Sequence, residues 1–284
     1  MNNIQTGSGL KYKNQHGVVA IKDGIKQSLN ITSVDGQRKP NWLKVSLPSG
    51  ENYRELLHQV KSRGLNTVCE ESKCPNLAEC WSHKTATLMV LGNICTRACQ
   101  FCAVDTGNPH GWLDPMEPYH TAQTVAFMKL KYVVLTSVDR DDLEDGGARH
   151  VAECVVHVKK KNPDVVIEVL SSDFAGSKSS LNILLGSGLN VFSQNIETVH
   201  RLTHPVRDPR AGYQQTLDML EHSCNKGTIT KSGMMLGLGE TAAEVVATMR
   251  DLRSVGVSLL TLGQYLRPTK YHVAMERFVT PEEF

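Results

Sequence analysis

Cysteine is the residue whose placement in this 284-residue chain most needs a chemical explanation. Six of the eight cysteines fall between positions 69 and 102, in two triplets: Cys69-x4-Cys74-x5-Cys80 and Cys95-x3-Cys99-x2-Cys102. A random scatter would give about 0.006 copies of any one such three-cysteine spacing. Structural zinc takes four ligands, commonly as two C-x2-C pairs, and neither triplet has that layout. Soft thiolates at wider spacing suit an iron–sulfur cluster. A [4Fe–4S] cluster takes one Cys on each iron, so three cysteines in one short loop leave one iron without a protein thiolate. An open metal position is where substrate chemistry can occur, by the same logic as catalytic zinc. Two other classes fit a cysteine-rich chain. A structural zinc protein would be colourless, and a non-catalytic two-cluster electron carrier would not need the long run of residues beyond Cys102.

A cluster loop must be held by something. From residue 86 onward, short apolar runs alternate with longer amphipathic segments. Strands are expected at 87–91, 132–137, 165–170, 189–194, 231–236 and 258–263. Helices are expected between them, at 121–131, 147–161, 177–186, 211–224 and 241–256. Strands alternating with helices indicate βαβ units and a parallel sheet. The fold class expected is α/β, a partial (β/α)6 barrel. In such a fold chemistry belongs at the C-terminal ends of the strands. The second triplet follows the first expected strand and so falls at such an end. Three segments are expected: a polar, partly disordered lead-in (1–40), an N-terminal extension carrying the first triplet (41–85), and the barrel (86–284). The extension holds one expected helix, at 52–63, ended by Gly64.

Bulk properties exclude several classes. With 31 basic and 29 acidic residues and a formal charge of +2, nothing points to nucleic acid. The run Lys159-Lys160-Lys161 reads as a solvated helix C-terminus favoured by the helix dipole. No apolar stretch is long enough to span a membrane, and no secretory signal is visible at the N-terminus. The expected compartment is the reducing cytoplasm, where cysteines are metal ligands or catalytic thiols before they are disulfides.

The second triplet, with Phe101 just before its last cysteine, resembles the signature of the radical S-adenosylmethionine (SAM) superfamily. That resemblance implies that the open iron binds the amino and carboxylate groups of S-adenosylmethionine, and that the cofactor is cleaved to a 5′-deoxyadenosyl radical. The first triplet, upstream of it, resembles that of lipoyl synthases. Further landmarks are Asn66-Thr67-Val68-Cys69-Glu70-Glu71, Cys74-Pro75-Asn76, Thr136-Ser137-Val138-Asp139-Arg140-Asp141-Asp142, Asn195-Ile196-Glu197-Thr198-Val199, Gly237-Leu238-Gly239-Glu240-Thr241 and Gly263-Gln264-Tyr265-Leu266. The resemblance covers most of 41–284. It implies two [4Fe–4S] clusters: a radical cluster on Cys95, Cys99 and Cys102, and an auxiliary, sulfur-donating cluster on Cys69, Cys74 and Cys80. It also implies insertion of two sulfur atoms, at C6 and C8 of an octanoyl chain held on a lysine. The implied partners are an octanoylated lipoyl carrier domain (a 2-oxoacid dehydrogenase subunit or a glycine cleavage H protein) and a ferredoxin- or flavodoxin-type reductant. Other sulfur-inserting radical enzymes, such as biotin synthase or methylthiotransferases, fit the auxiliary spacing less well.

By resemblance, Asn195 and Glu197 contact the ribose or amino group of S-adenosylmethionine; the plain alternative is a polar strand end satisfying loop amides. Asp139 and Arg140 are expected to orient cofactor or substrate, against a solvated charged loop. Gly237 and Glu240 are expected near the cofactor, against a strand-to-helix turn that needs glycine and a carboxylate supporting a helix N-terminus. Cys154 and Cys224 are expected in the core, and the histidines carry no metal role. The sequence ends at Phe284 without the Arg-Ser-Ser-Tyr-type segment whose serine, in the family, is the fourth auxiliary ligand. On that ground the chain is expected to bind S-adenosylmethionine but to hold its auxiliary cluster weakly or not at all, and to make little lipoyl product.

Overall fold

The computed structural model of the protein describes residues 7–24, 38–43, 66–67 and 85–284. The expected helix at 52–63 and the first cysteine triplet lie outside the described residues.

Two short strands, β1 (Lys11–Lys13) and β2 (Val19–Ile21), form an antiparallel hairpin. The hairpin lies within the 1–40 segment. A polar stretch without period gives no strand signal, but Asn14 ties the turn by accepting from the His16 and Val18 amides. Strand β3 (Asn66–Thr67) runs antiparallel to β4 (Thr85–Val90). Two short strands follow, β5 (Ile94–Cys95), which carries the first cysteine of the second triplet, and β6 (Asp105–Gly107), which comes after its last. They pair with each other and, through β6, with β2.

The remaining chain alternates helix and strand: α1 (Glu117–Phe127), β7 (Tyr132–Ser137), α2 (Ala148–Lys161), β8 (Val166–Leu170), α3 (Lys178–Leu185), β9 (Val191–Ser193), the short α4 (Thr203–Val206), α5 (Tyr213–Asn225), β10 (Ile229–Leu236), α6 (Ala242–Ser254) and β11 (Leu259–Gln264). The sheet order is β11-β10-β9-β8-β7-β4-β3. The six strands from β4 to β11 are parallel, each beside its chain neighbour. This curled six-stranded half-barrel is the expected fold class.

The sequence dictates the helix faces. In α2, Val151, Cys154, Val155 and Val158 recur at helical spacing, and all four are fully buried. Burying each such side chain contributes roughly 1.5–3 kcal/mol. Lys159, Lys160 and Lys161 occupy the last turn of α2, as the dipole argument predicts. Along β10, Lys231 and Met235 share one face. Met235 reaches the cavity at the C-terminal end. Two pleats below it, Lys231 Nζ lies 2.9 Å from both Glu168 oxygens, and the Tyr132 hydroxyl donates to Glu168 as well. The N-terminal end of the barrel is thus closed by a satisfied ion pair, leaving the C-terminal end for chemistry.

Candidate active site

The C-terminal ends of the parallel strands surround a cavity of about 420 Å³. Cys95, Cys99 and Cys102 open onto it from one side. None of the three is in a disulfide, and all are partly buried. The cavity is lined further by Asp139 beyond β7, Ser171 to Asp173 beyond β8, Gln194, Asn195 and Glu197 beyond β9, and Gln264 at the end of β11.

The cysteine loop is strapped from several directions. The Thr96 amide donates to the Asp139 carbonyl at 2.9 Å, and the Gln100 amide to the Val206 carbonyl at 2.8 Å. Asp208 accepts from the Ala98 amide, while its own amide donates to Cys99 Sγ at 3.2 Å. Arg210 closes this strap by donating to Asp208 and to the Thr96 carbonyl. On the other side His272 Nε2 lies 3.0 Å from the Cys102 carbonyl, and the Val273 amide donates to the Gln100 carbonyl. Within the loop, Arg97 is buried and bridges Asp139, Asp141 and Asp173, at 3.3, 2.8 and 2.7 Å.

These surroundings set the protonation states. Burial pushes the Cys95 thiol well up and the Cys99 thiol to about 12. Both are therefore protonated at neutral pH unless a metal ion supplies the charge that stabilises a thiolate. Burial also lifts Asp139 to about 6, against the pull of Arg97. Burial raises Glu197, while Arg207 and the Asn195 amide pull the other way.

Most of the residues singled out in the sequence meet at this cavity: Cys95, Cys99, Cys102, Phe101, Asp139, Asn195 and Glu197 all line it. Three do not. Arg140 is buried against the outer layer, where its guanidinium donates to Asp142 and to the Leu91 and Trp112 carbonyls. In an extended segment after a strand, successive side chains point to opposite sides, so Asp139 faces in and Arg140 faces out. Gly237 and Glu240 also lie off the cavity lining. Glu240 accepts from the Gly237 and Leu238 amides, which is the turn-supporting alternative. Gly237 has φ +98°, and a β-carbon there would come within 2.6 Å of the Arg277 carbonyl. Cys154 is fully buried, whereas Cys224 is only partly so.

Sequence reasoning passed over Arg97, Asp173, Gln194, Arg207 and the Asp208–Arg210 strap. Arg97 carried a signal, being a charge inside a metal-binding loop that had to be buried. The strap lies more than 100 residues beyond the loop it holds and gave none. The spacing His200-x3-His204 is of metal type and was also passed over. His200 packs edge-on against Tyr213; apart from the cysteine loop, the group whose ligand atoms lie within 4.8 Å of one another among the described residues is Glu117, His150 and Cys154.

The profile of the radical SAM superfamily matches residues 89–252, and that of the N-terminal domain of lipoyl synthase matches residues 12–74. Among solved structures, the FeFe-hydrogenase maturase HydG from Carboxydothermus hydrogenoformans superposes with a TM-score of 0.56 at 16% identity, over 80% of this chain and 57% of that one. Methylornithine synthase superposes with a TM-score of 0.54 at 12% identity, over 80% of this chain and 69% of that one. These likenesses concern the fold. With the three-cysteine loop at the strand ends, fold and site define a radical SAM enzyme.

The lipoyl synthase of Marinobacter nauticus is 56% identical over 98% of this chain and 80% of that protein. That of Legionella pneumophila is 56% identical over 99% of this chain and 85% of that protein. The chain belongs to the lipoyl synthase family, whose cofactors are S-adenosylmethionine and [4Fe–4S] clusters.

The residues present fit that cofactor set. Three soft sulfur donors sit on one loop, and two of them already accept a backbone N–H, Cys95 from Arg97 and Cys99 from Asp208, as cluster thiolates do. The hydroxyls of Ser171 and Ser172 and the Gln194 Oε1 are buried at the cavity with no partner among the described residues. Buried polar atoms are rarely left unpaired. They share the cavity with the cysteines, which suits a polar ligand bound there. Among the described residues, no helix is long and apolar enough to cross a membrane.

Proposed function

We propose that Cys95, Cys99 and Cys102 hold the radical cluster, that the cavity they line holds S-adenosylmethionine, and that Cys69, Cys74 and Cys80 in the 41–85 extension hold the auxiliary cluster. The observation that carries this reading is a cavity whose lining brings the three cysteines together with the unpartnered polar atoms of Ser171, Ser172 and Gln194. When bound, the cluster and S-adenosylmethionine supply a radical able to take hydrogen from an unactivated C–H bond, a step with no acid–base route at neutral pH.

The chain's own residues bind, orient and exclude water. Asn195 and Glu197 are suited to hydrogen-bond ribose hydroxyls or an ammonium group. Phe101 offers an apolar face to the nucleoside. Asp139 keeps a carboxylate beside the loop, held by Arg97. Arg97 offsets the negative charge of neighbouring carboxylates without facing solvent. The cavity volume falls in the range of small-ligand sites, and enclosure there keeps water from a reactive species. Arg140, Gly237 and Glu240 act on this site through the backbone they hold.

The substrate in this reading is an octanoylated lysine on a lipoyl carrier domain, of a 2-oxoacid dehydrogenase subunit or a glycine cleavage H protein. Two hydrogens, at C6 and C8, are replaced by two sulfur atoms. A ferredoxin- or flavodoxin-type protein supplies electrons, in the cytoplasm. The test is anaerobic reconstitution, then incubation with an octanoylated carrier peptide, S-adenosylmethionine and dithionite, followed by mass spectrometry. 5′-Deoxyadenosine is expected, with lipoyl peptide in proportion to the auxiliary cluster that the chain retains. The Cys95→Ala, Cys99→Ala, Cys102→Ala triple variant should retain about half of the iron and form no 5′-deoxyadenosine. Cleavage of S-adenosylmethionine by that variant would overturn the assignment.

A further inference from the structure

The turn that delivers the first cluster cysteine is backed by a buried polar group that the reaction itself does not use. Between β4 and β5 the chain passes through Leu91 (φ 68°) and Gly92 (φ 79°), two successive left-handed residues. A left-handed leucine is uncommon and strained, and it persists only where its surroundings fix it. Here they do. The Leu91 amide donates to Glu117 Oε2 at 2.8 Å, and the Gly92 amide to Glu117 Oε1 at 3.2 Å. The Leu91 carbonyl accepts from Arg140 Nη1 at 3.2 Å. Its side chain fills the space that a β-carbon on Gly147 would take, since that atom would stand 2.6 Å from Leu91 Cδ1.

The two side chains that grip the turn are themselves fixed. Glu117 Oε2 lies 2.7 Å from His150 Nε2, in the first turn of α2. Arg140 is forked onto Asp142, donating to both of its oxygens. Arg140 also donates to the Trp112 carbonyl, and Asp142 accepts from the Gly111 amide. The Arg140–Asp142 pair therefore ties down both the entry to the cysteine loop, at Leu91, and its exit, at residues 111–112. Glu117, Arg140 and His150 are all buried.

We propose that Glu117, seated by His150, and Arg140, seated by Asp142, form a clamp on the 91–92 turn that sets where Cys95 stands. These are positioning residues, with no contact to the cavity. The carboxylate suits the task because one group accepts from two adjacent amides, and the guanidinium because it donates to two carbonyls at once. The chemical reason for such a clamp is geometric. The cluster's open position must face the cofactor within a fraction of an ångström, and residues supporting metal ligands commonly change affinity or activity 10–100-fold.

This inference rests on the radical-cluster reading above, and its test separates the two. Glu117→Gln keeps the shape but turns an acceptor into a donor facing an amide. Arg140→Lys keeps the charge but loses the fork. Amide hydrogen exchange is measured on the full chain, as apoprotein and after anaerobic reconstitution, beside the electron paramagnetic resonance spectrum of the reduced cluster with S-adenosylmethionine. In both variants the Leu91 and Gly92 amides should exchange at least tenfold faster, while those of β7 and β8 keep wild-type rates. The spectrum should change and 5′-deoxyadenosine formation should fall at least tenfold. Unchanged exchange at the turn would overturn the clamp. So would faster exchange throughout the barrel, which marks general destabilisation, or a faster turn with an unaltered spectrum. If the wild-type protein itself did not cleave S-adenosylmethionine, the functional reading would fail while the exchange result still stood.

Discussion

At the scale of single residues, Asn195 depends on a neighbour that has no side chain. A β-carbon on Gly233 would lie 2.7 Å from Asn195 Oδ1 and 3.1 Å from its Cγ. Gly233 is absent from the positive-φ residues, so alanine there meets no backbone objection and the conflict is with Asn195 alone. Gly233→Ala should destabilise the protein by about 1–2 kcal/mol through overpacking and weaken S-adenosylmethionine binding. In a double-mutant cycle with Asn195→Ala the two changes should couple by about 1 kcal/mol, with the double variant regaining stability. Additive losses in urea unfolding would show that Gly233 is not there for Asn195. Which residues line the cavity was largely legible: cysteine spacing found the loop, and strand ends found Asp139, Asn195 and Glu197. Arg140 was misplaced because its charge and its neighbours in sequence say nothing about which side of a strand end it occupies. The unpartnered Ser171, Ser172 and Gln194 were illegible, since a missing partner is visible only once the fold has assembled.

At the scale of elements, helix α6 shows a local signal carried through to structure. Thr241 accepts from the Glu244 amide and Glu244 accepts from the Thr241 amide, a reciprocal cap. Arg201 adds a two-pronged ion pair to Glu244 and donates to the Gly239 carbonyl. The Arg201 guanidinium, then the Thr241 amide, hold the Glu244 carboxyl down at about 2, below its usual range. A depressed carboxyl contributes stability that is complete above its unfolded value, near 4.3, and is lost as pH falls through the folded value. The melting temperature of Glu244→Gln should therefore lie below wild type at pH 7, and the gap should close between about pH 4.3 and 2. Because the pair is exposed, salt should narrow the gap at neutral pH. A gap independent of pH would mean that the capping hydrogen bonds act without the charge. Helix and strand existence followed from periodicity, but α1 begins at Glu117 rather than at residue 121. Its Pro118 sits in the first turn, where its fixed φ and missing donor are tolerated. That signal was available and weighed less than the apolar period.

At the scale of the whole molecule, the barrel and the N-terminal region carry separate tasks. The six parallel strands, the cysteine loop and its straps lie within 85–284. The profile of the lipoyl synthase N-terminal domain covers residues 12–74, which include Cys69 and Cys74. In the proposed division the barrel makes the radical and the N-terminal region presents the sulfur. The two ligand sets share no residue. Removing one should then leave the other chemically intact, provided the barrel folds without the auxiliary cluster. The barrel core supports that condition, because among the described residues its buried cluster of apolar residues runs from Ala86 to Val279. The triple variant Cys69→Ala, Cys74→Ala, Cys80→Ala should therefore keep about half of the iron. Its cleavage of S-adenosylmethionine should stay within about threefold of wild type, a factor worth about 0.65 kcal/mol in barrier height. Lipoyl peptide should be absent, because the carbon radical then has no sulfide to meet. Loss of 5′-deoxyadenosine together with lipoyl peptide would show that the clusters are coupled. Undiminished lipoyl peptide would show that the sulfur comes from elsewhere.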